Sequence, residues 1–138
     1  MKTKAIHNIK AAEALIDKAE EGYYTASIHH VYYAVFQYMK YELAHTDVEP
    51  LSYEEQTVKA KEHRMGSHDF IIKEINRRIS RLADTDTAQD FTQYVRELKG
   101  DRIDADYRSR QFTMEESLAC KCLAEELITK LKTYFGDL

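Results

Sequence analysis

Apolar residues recur along this chain at intervals of three and four positions almost from end to end, the spacing that gathers them on one face of an α-helix. A first helix is read from Ile6 to Glu21, with Ile9, Ala12, Leu15, Ile16 and Ala19 on one side and Gly22 as its stop. A second runs from Tyr23 to His45. Tyr24, Ile28, Val31, Val35, Met39 and Leu43 form one stripe on it and Tyr32, Tyr33 and Phe36 a second, so it is apolar around most of its circumference and is expected at the centre of the fold.

The stretch from His45 to Ser67 holds the only proline, Pro50, and reads as a long connection. Ser52 and Glu55 have capping-box spacing, which predicts a short helix over Tyr53 to His63 inside that connection. Ser67 is expected to cap a helix to Arg81 whose inward row is Ile71, Ile75, Ile79 and Leu82. Asp84 or Thr85 caps the next, which carries Phe91, Tyr94, Val95 and Leu98 to Gly100 and either stops there or continues weakened through the following residues. Thr113 with Glu116 is a capping box for a last helix with Leu118, Leu127, Ile128, Leu131 and Phe135 inside. With no repeat, low-complexity tract or linker, residues 1–138 are read as one domain.

Composition agrees with an all-α chain: 4 glycines and 1 proline in 138 residues leave few turn signals for a many-stranded fold. A net charge of −4 argues against a bulk polyanion binder, so nucleic-acid affinity would have to come from a local patch. One such patch exists. Lys59 to Arg81 holds 7 basic residues against 3 acidic ones, and Lys73, Arg77 and Arg81 repeat every fourth position opposite the isoleucine row, a candidate nucleic-acid ridge or an ordinary solvated face. No apolar run reaches membrane-spanning length and no signal peptide opens the chain, which predicts a cytoplasmic protein without membrane contact. Cys120 and Cys122 point about 200° apart around a helix and read as small hydrophobes. No metal or cofactor is expected: Glu42-x-x-His45 is the only Glu-x-x-His pair, where a di-iron bundle needs two.

The informative chemistry lies in Arg102-Ile103-Asp104-Ala105-Asp106-Tyr107. Arg102 falls on the apolar stripe of Leu98 and Ala105, and a cation there must be paired or face a cleft. Asp106 stands one turn on, so the two form either a structural salt bridge or a phosphate clamp in which the carboxylate orients the guanidinium. Tyr32, Tyr33 and Phe36 have core spacing, and their buried hydroxyls need partners such as Arg102 or Asp106. His29 and His30 splay apart on the second helix, one towards the core edge and one towards solvent.

Three segments together resemble the HEPN (higher eukaryotes and prokaryotes nucleotide-binding) superfamily: Tyr32-Tyr33-Ala34-Val35-Phe36, Glu62-His63-Arg64-Met65-Gly66-Ser67-His68-Asp69-Phe70, and Arg102-x-x-Ala105-Asp106-Tyr107. The resemblance covers about Ala11 to Phe135. It implies an up-and-down bundle of four main helices plus a shorter one, in a homodimer with a polar groove beside the arginine. It also implies either a metal-independent ribonuclease, often a toxin of a toxin–antitoxin pair, or a nucleotide-binding companion of a nucleotidyltransferase, in which a tyrosine near the arginine can be modified. The ribonuclease members carry a histidine four to six residues after their arginine, and none follows Arg102 here; Arg64-x-x-x-His68 is one residue short and in another segment. The expected function is therefore a nucleotide- or RNA-associated binding module using Arg102, Asp106, Tyr32, Tyr33 and Tyr107. A ribonuclease in which His63 or His68 replaces the missing imidazole, and a purely structural interaction domain, are the alternatives.

Overall fold

The structure is a computed structural model that describes residues 1–136; the last two positions lie outside the described residues. Six helices follow in order: α1 (Lys2–Asp17), α2 (Glu21–His45), α3 (Tyr53–Glu62), α4 (Ser67–Leu82), α5 (Thr85–Tyr107) and α6 (Met114–Phe135). The all-α bundle expected from the periodicity is present, with no strand among the described residues. Its helix count differs from the expected four plus one. Five helices have 16 to 25 residues and α3 has 10, because α1 and α4 each carry a full-length apolar face of their own.

Because α2 is apolar on several sides, it takes neighbours on several sides: α1, α4, α5 and α6 all pack on it. Ile28, Val31, Tyr32, Val35, Met39 and Leu43 are essentially without solvent exposure. Asn8 bonds Gln37 across the α1–α2 seam, while Lys2 lies over the Tyr41 ring, so the two helices run antiparallel. Lys99 with Asp69 and Thr92 with Asn76 fix the same relation for α4 and α5. α5 also runs antiparallel to α2. Its C-terminal end and the segment that follows therefore lie beside the first half of α2, where Phe112 N–H donates to Thr25 Oγ1.

Several local expectations are corrected. α1 ends at Asp17 rather than Glu21 because Ala19 takes the left-handed conformation (φ 55°), the turn expected of Gly22, which sits in the first turn of α2. Gly66, not Ser67, is the N-cap of α4. α5 runs straight through Gly100: burial of Leu98 and Arg102 on either side outweighs the roughly 1 kcal/mol helix penalty of a glycine. Leu82, Tyr94 and Leu118 were expected inside but are exposed. On α6 the buried stripe is Ser117, Cys120, Ala124, Leu127 and Leu131, whose small members allow close helix approach. The predicted caps at Ser52 and Thr113 hold. Ser52 accepts from Glu55 N–H, and Thr113 with Glu116 closes a reciprocal box. Among the described residues no helix is long and apolar enough to cross a membrane.

Candidate functional site

Two consecutive tyrosines on a helix point about 100° apart, and α2 uses that divergence to carry a polar cluster from the core to the surface. Tyr32 is fully buried and faces α4, whose first turn delivers His68. The Tyr32 hydroxyl lies 2.7 Å from His68 Nδ1. The His68 ring stacks on Phe36 at 4.1 Å and 7°, and Tyr33 meets it edge-on. Burial, reinforced by the charges of Arg102 and Lys99, lowers the His68 pKa to about 4, against the smaller opposing pull of Asp69. Burial likewise raises the Tyr32 phenol well above its ordinary value, although Arg102 pulls the other way. The phenol therefore donates and Nδ1 accepts, which leaves the proton of the neutral ring on Nε2.

This arrangement has a consequence for stability. His68 binds a proton more weakly folded than unfolded, so the unfolded state holds the extra proton as pH falls from 6.5 towards about 4. Its stabilising contribution is complete above pH 6.5 and declines through that window. Discounted for the solvent that reaches the half-buried ring, the loss should be about 1 to 2 kcal/mol. Urea denaturation across that window should show the decline in the wild type and a flatter profile in His68→Gln.

Arg102 comes from the next-to-last turn of α5. Its guanidinium carbon lies 5.2 Å from the centre of the Tyr32 ring, 5.4 Å from Tyr33 and 5.9 Å from Tyr107, a cation framed by three aromatic groups. The residue is 7% exposed. Its one ion pair, to Asp106 Oδ2 at 3.7 Å, exceeds hydrogen-bond length, and its buried Nε has no hydrogen-bond partner among the described residues. Asp106 Oδ2 is more closely engaged elsewhere: it accepts from His29 Nδ1–H at 2.8 Å. The His29 ring in turn leans on Tyr33, with centroids 4.7 Å apart. The end of α5 is braced by Arg110, which pairs with Asp101, Asp104 and Glu116 and lies over the Phe112 ring.

Of the residues singled out from sequence, the structure brings Arg102, Asp106, Tyr32, Tyr33, Tyr107 and His68 into one cluster. His63 is elsewhere. It is exposed, donates to the Lys59 carbonyl and stacks on Phe70, lining a separate cleft with Lys73, Arg77 and Arg81. Lys73, Arg77 and Arg81 are exposed on α4, as the periodicity predicts, but Arg77 and Arg81 share the carboxylate of Glu49. Sequence reasoning missed His29 as a partner of the Arg102 cluster. The sequence carries a signal for it: His29 precedes Tyr33 by one helical turn, and Tyr33 is a candidate partner of Arg102. His30, beside it, turns to α1 and bonds Asn8. Among the described residues no group of three or more histidines, cysteines or carboxylates is arranged to hold a metal.

The family model described as HEPN domain matches residues 1–134. No curated protein and no solved structure matches the chain.

Proposed function

The chain belongs to the HEPN domain family, and from that membership we propose a nucleotide- or nucleic-acid-binding module whose anion-binding group is Arg102. The observation that carries this reading is the state of that guanidinium: 7% exposed, ringed by Tyr32, Tyr33 and Tyr107, and without a hydrogen bond to its Nε. Burying a cation costs several kcal/mol unless an anion and hydrogen-bond acceptors compensate, and a single carboxylate at 3.7 Å compensates weakly. A phosphate presented to the planar fork would satisfy it. Tyr107, 76% exposed, offers a face on which a base can stack. Its exposed hydroxyl also suits the companion role, in which a nucleotidyltransferase partner modifies a tyrosine near the arginine. A homodimer in a toxin–antitoxin-like pair is the setting proposed for the module.

His29 favours a second reading, as a metal-independent endoribonuclease. The family's ribonucleases carry their histidine four to six residues after the arginine; here α2 supplies an imidazole to the same Asp106 that pairs with Arg102, oriented by that carboxylate through Nδ1. In that reading His29 Nε2 takes the 2′-hydroxyl proton as the oxygen attacks phosphorus, and Arg102 stabilises the charge on the phosphorane. The P–O5′ bond then breaks, and the imidazolium returns the proton to O5′. His68, neutral and engaged by Tyr32, is poorly suited to that exchange near neutral pH.

End-labelled single-stranded RNA incubated with the purified protein and a chelator separates these readings. Retention of intact RNA supports the binding module. Fragments ending in a cyclic phosphate that disappear in His29→Gln, while RNA binding persists, support the nuclease. Neither retention nor cleavage would leave the Arg102 cluster as a buried structural network.

A further inference from the structure

Away from the Arg102 cluster, α3, α4 and the segment of residues 46–52 enclose an open cleft of about 880 Å³, within the range of small-molecule sites. We propose that this cleft is a second anion site, for a small phosphorylated compound, and that Glu49 serves as an internal counter-ion which the ligand displaces.

Charge is the first ground. Five basic side chains, Lys59, Lys73, Arg77, Arg78 and Arg81, line the cleft against three carboxylates, Glu49, Glu55 and Glu74, within a chain of net charge −4. A recess with an excess of one sign concentrates counter-ions. The carboxylates are also unevenly committed. Glu74 bonds both Arg77 and Arg78, and Glu55 faces Ser52 at the start of α3. Lys59 and Lys73 have no side-chain ion pair or hydrogen bond among the described residues, so two ammonium groups stay uncompensated on the walls.

The second ground is how Glu49 is held. Arg78 is 5% exposed and directs its two terminal nitrogens at the carbonyls of Val48 and Glu49, at 2.6 and 2.7 Å, which clamps this backbone against α4. Glu49 adopts a left-handed φ of 51°, an unfavourable state for a residue with a Cβ. Its side chain is nevertheless 61% exposed and reaches Arg77 at 3.7 Å and Arg81 at 3.5 Å. Charge-assisted pairs in good geometry close to about 2.7–2.9 Å. The carboxylate thus stands between two guanidinium groups without engaging either fully, while Arg78 holds the backbone beneath it. A tetrahedral phosphate can accept from Arg81 and from the Arg77 N–H groups that Glu74 leaves free, and the flexible Lys59 and Lys73 can reach further oxygens. The apolar part of the lining is small, half-buried Met65 beside the nearly buried Leu51 and Phe70, which suits a compact, mostly anionic compound.

Calorimetric titration with inorganic pyrophosphate tests the proposal. The full chain carrying Arg102→Gln is the reference, which silences the site of the proposed function and keeps the two readings separately falsifiable. Pyrophosphate is expected to bind this reference. Adding Lys73→Ala or Arg81→Ala should weaken binding about tenfold each, and adding Glu49→Gln should tighten it about tenfold. All three positions are exposed, so these variants should fold. No heat of binding, or equal affinity in all variants, would overturn the site; weaker or unchanged binding in Glu49→Gln would overturn the displacement. Citrate in place of pyrophosphate should bind less tightly, and equal affinity would overturn the preference for phosphate. Tighter binding of single-stranded RNA than pyrophosphate, lost in Lys73→Ala, would show a nucleic-acid surface instead.

Discussion

Replacing Arg102 with glutamine should lower the affinity for single-stranded RNA or a 5′-nucleotide at least a hundredfold while leaving the helical fold in place. The affinity loss follows from the removal of the buried cation around which Tyr32, Tyr33 and Tyr107 are arranged; no other basic side chain joins that ring among the described contacts. Hydrogen bonds to charged groups contribute about 1.5 to 3 kcal/mol each, so losing a two-pronged contact gives a change of that order. Little stability should be lost with it. Beyond its contacts with the three rings, the guanidinium makes only a long ion pair to Asp106, and Asp106 keeps its bond to His29. Removing a poorly compensated buried charge is often neutral or stabilising. Fluorescence anisotropy with labelled RNA, set beside thermal melting of both proteins, checks the pair of outcomes. Arg102→Lys should recover part of the affinity, since it restores the charge without the planar fork. A glutamine variant that binds normally would sink the proposed site, and one that unfolds would identify Arg102 as a structural tie.

Tyr32→Ala should be the most damaging single change to the fold, with a loss of about 3 to 5 kcal/mol. The side chain is 0% exposed on the helix that all four neighbouring long helices share, and it joins two kinds of support. Its ring packs between Tyr33 and Phe36 and lies parallel to His68, so truncation leaves a cavity between α2 and α4. Its hydroxyl is the donor to His68 Nδ1, so truncation also strips a half-buried imidazole of its partner. Against a typical total stability of about 5 to 15 kcal/mol, that loss shifts a urea midpoint far enough to read without ambiguity. Tyr32→Phe separates the two contributions. It keeps the ring and should cost about 1 kcal/mol for the hydroxyl alone. Equal effects of the two substitutions would mean that the cavity contributes little.

The candidate site was legible in unequal parts. Arg102 stood out because a charge on an apolar stripe violates the helical pattern, and Asp106 followed from the one-turn rule. Tyr32 and Tyr33 stand out as aromatic residues at core spacing whose hydroxyls need partners, whereas His68 enters through family resemblance alone, since nothing local to the turn before α4 indicates that it meets them. His63 and His68 looked alike in sequence. They diverge because α3 ends between Glu62 and Gly66, so that one ring faces Phe70 and the outer cleft and the other enters the bundle beside Phe36. The basic repeat on α4 reads in sequence as a solvated face or a nucleic-acid ridge, and its tie to Glu49 is hidden there because that residue lies more than twenty positions upstream of Arg77 and Arg81, beyond any helical spacing rule.

Local chemistry alone determined the all-α class, the central place of α2, the caps at Ser52 and Thr113, and the anomaly at Arg102. All of these depend on interactions within a few turns of one helix: propensity, periodicity and side-chain bonds to nearby amides. Tertiary structure alone decided that α5 continues through Gly100 to carry Arg102, that His29 holds Asp106, that burial beside Arg102 keeps His68 neutral, and that Glu49 spans two arginines. Each of these joins residues brought together by helix packing, and their energies depend on burial, which a linear pattern of residues does not specify.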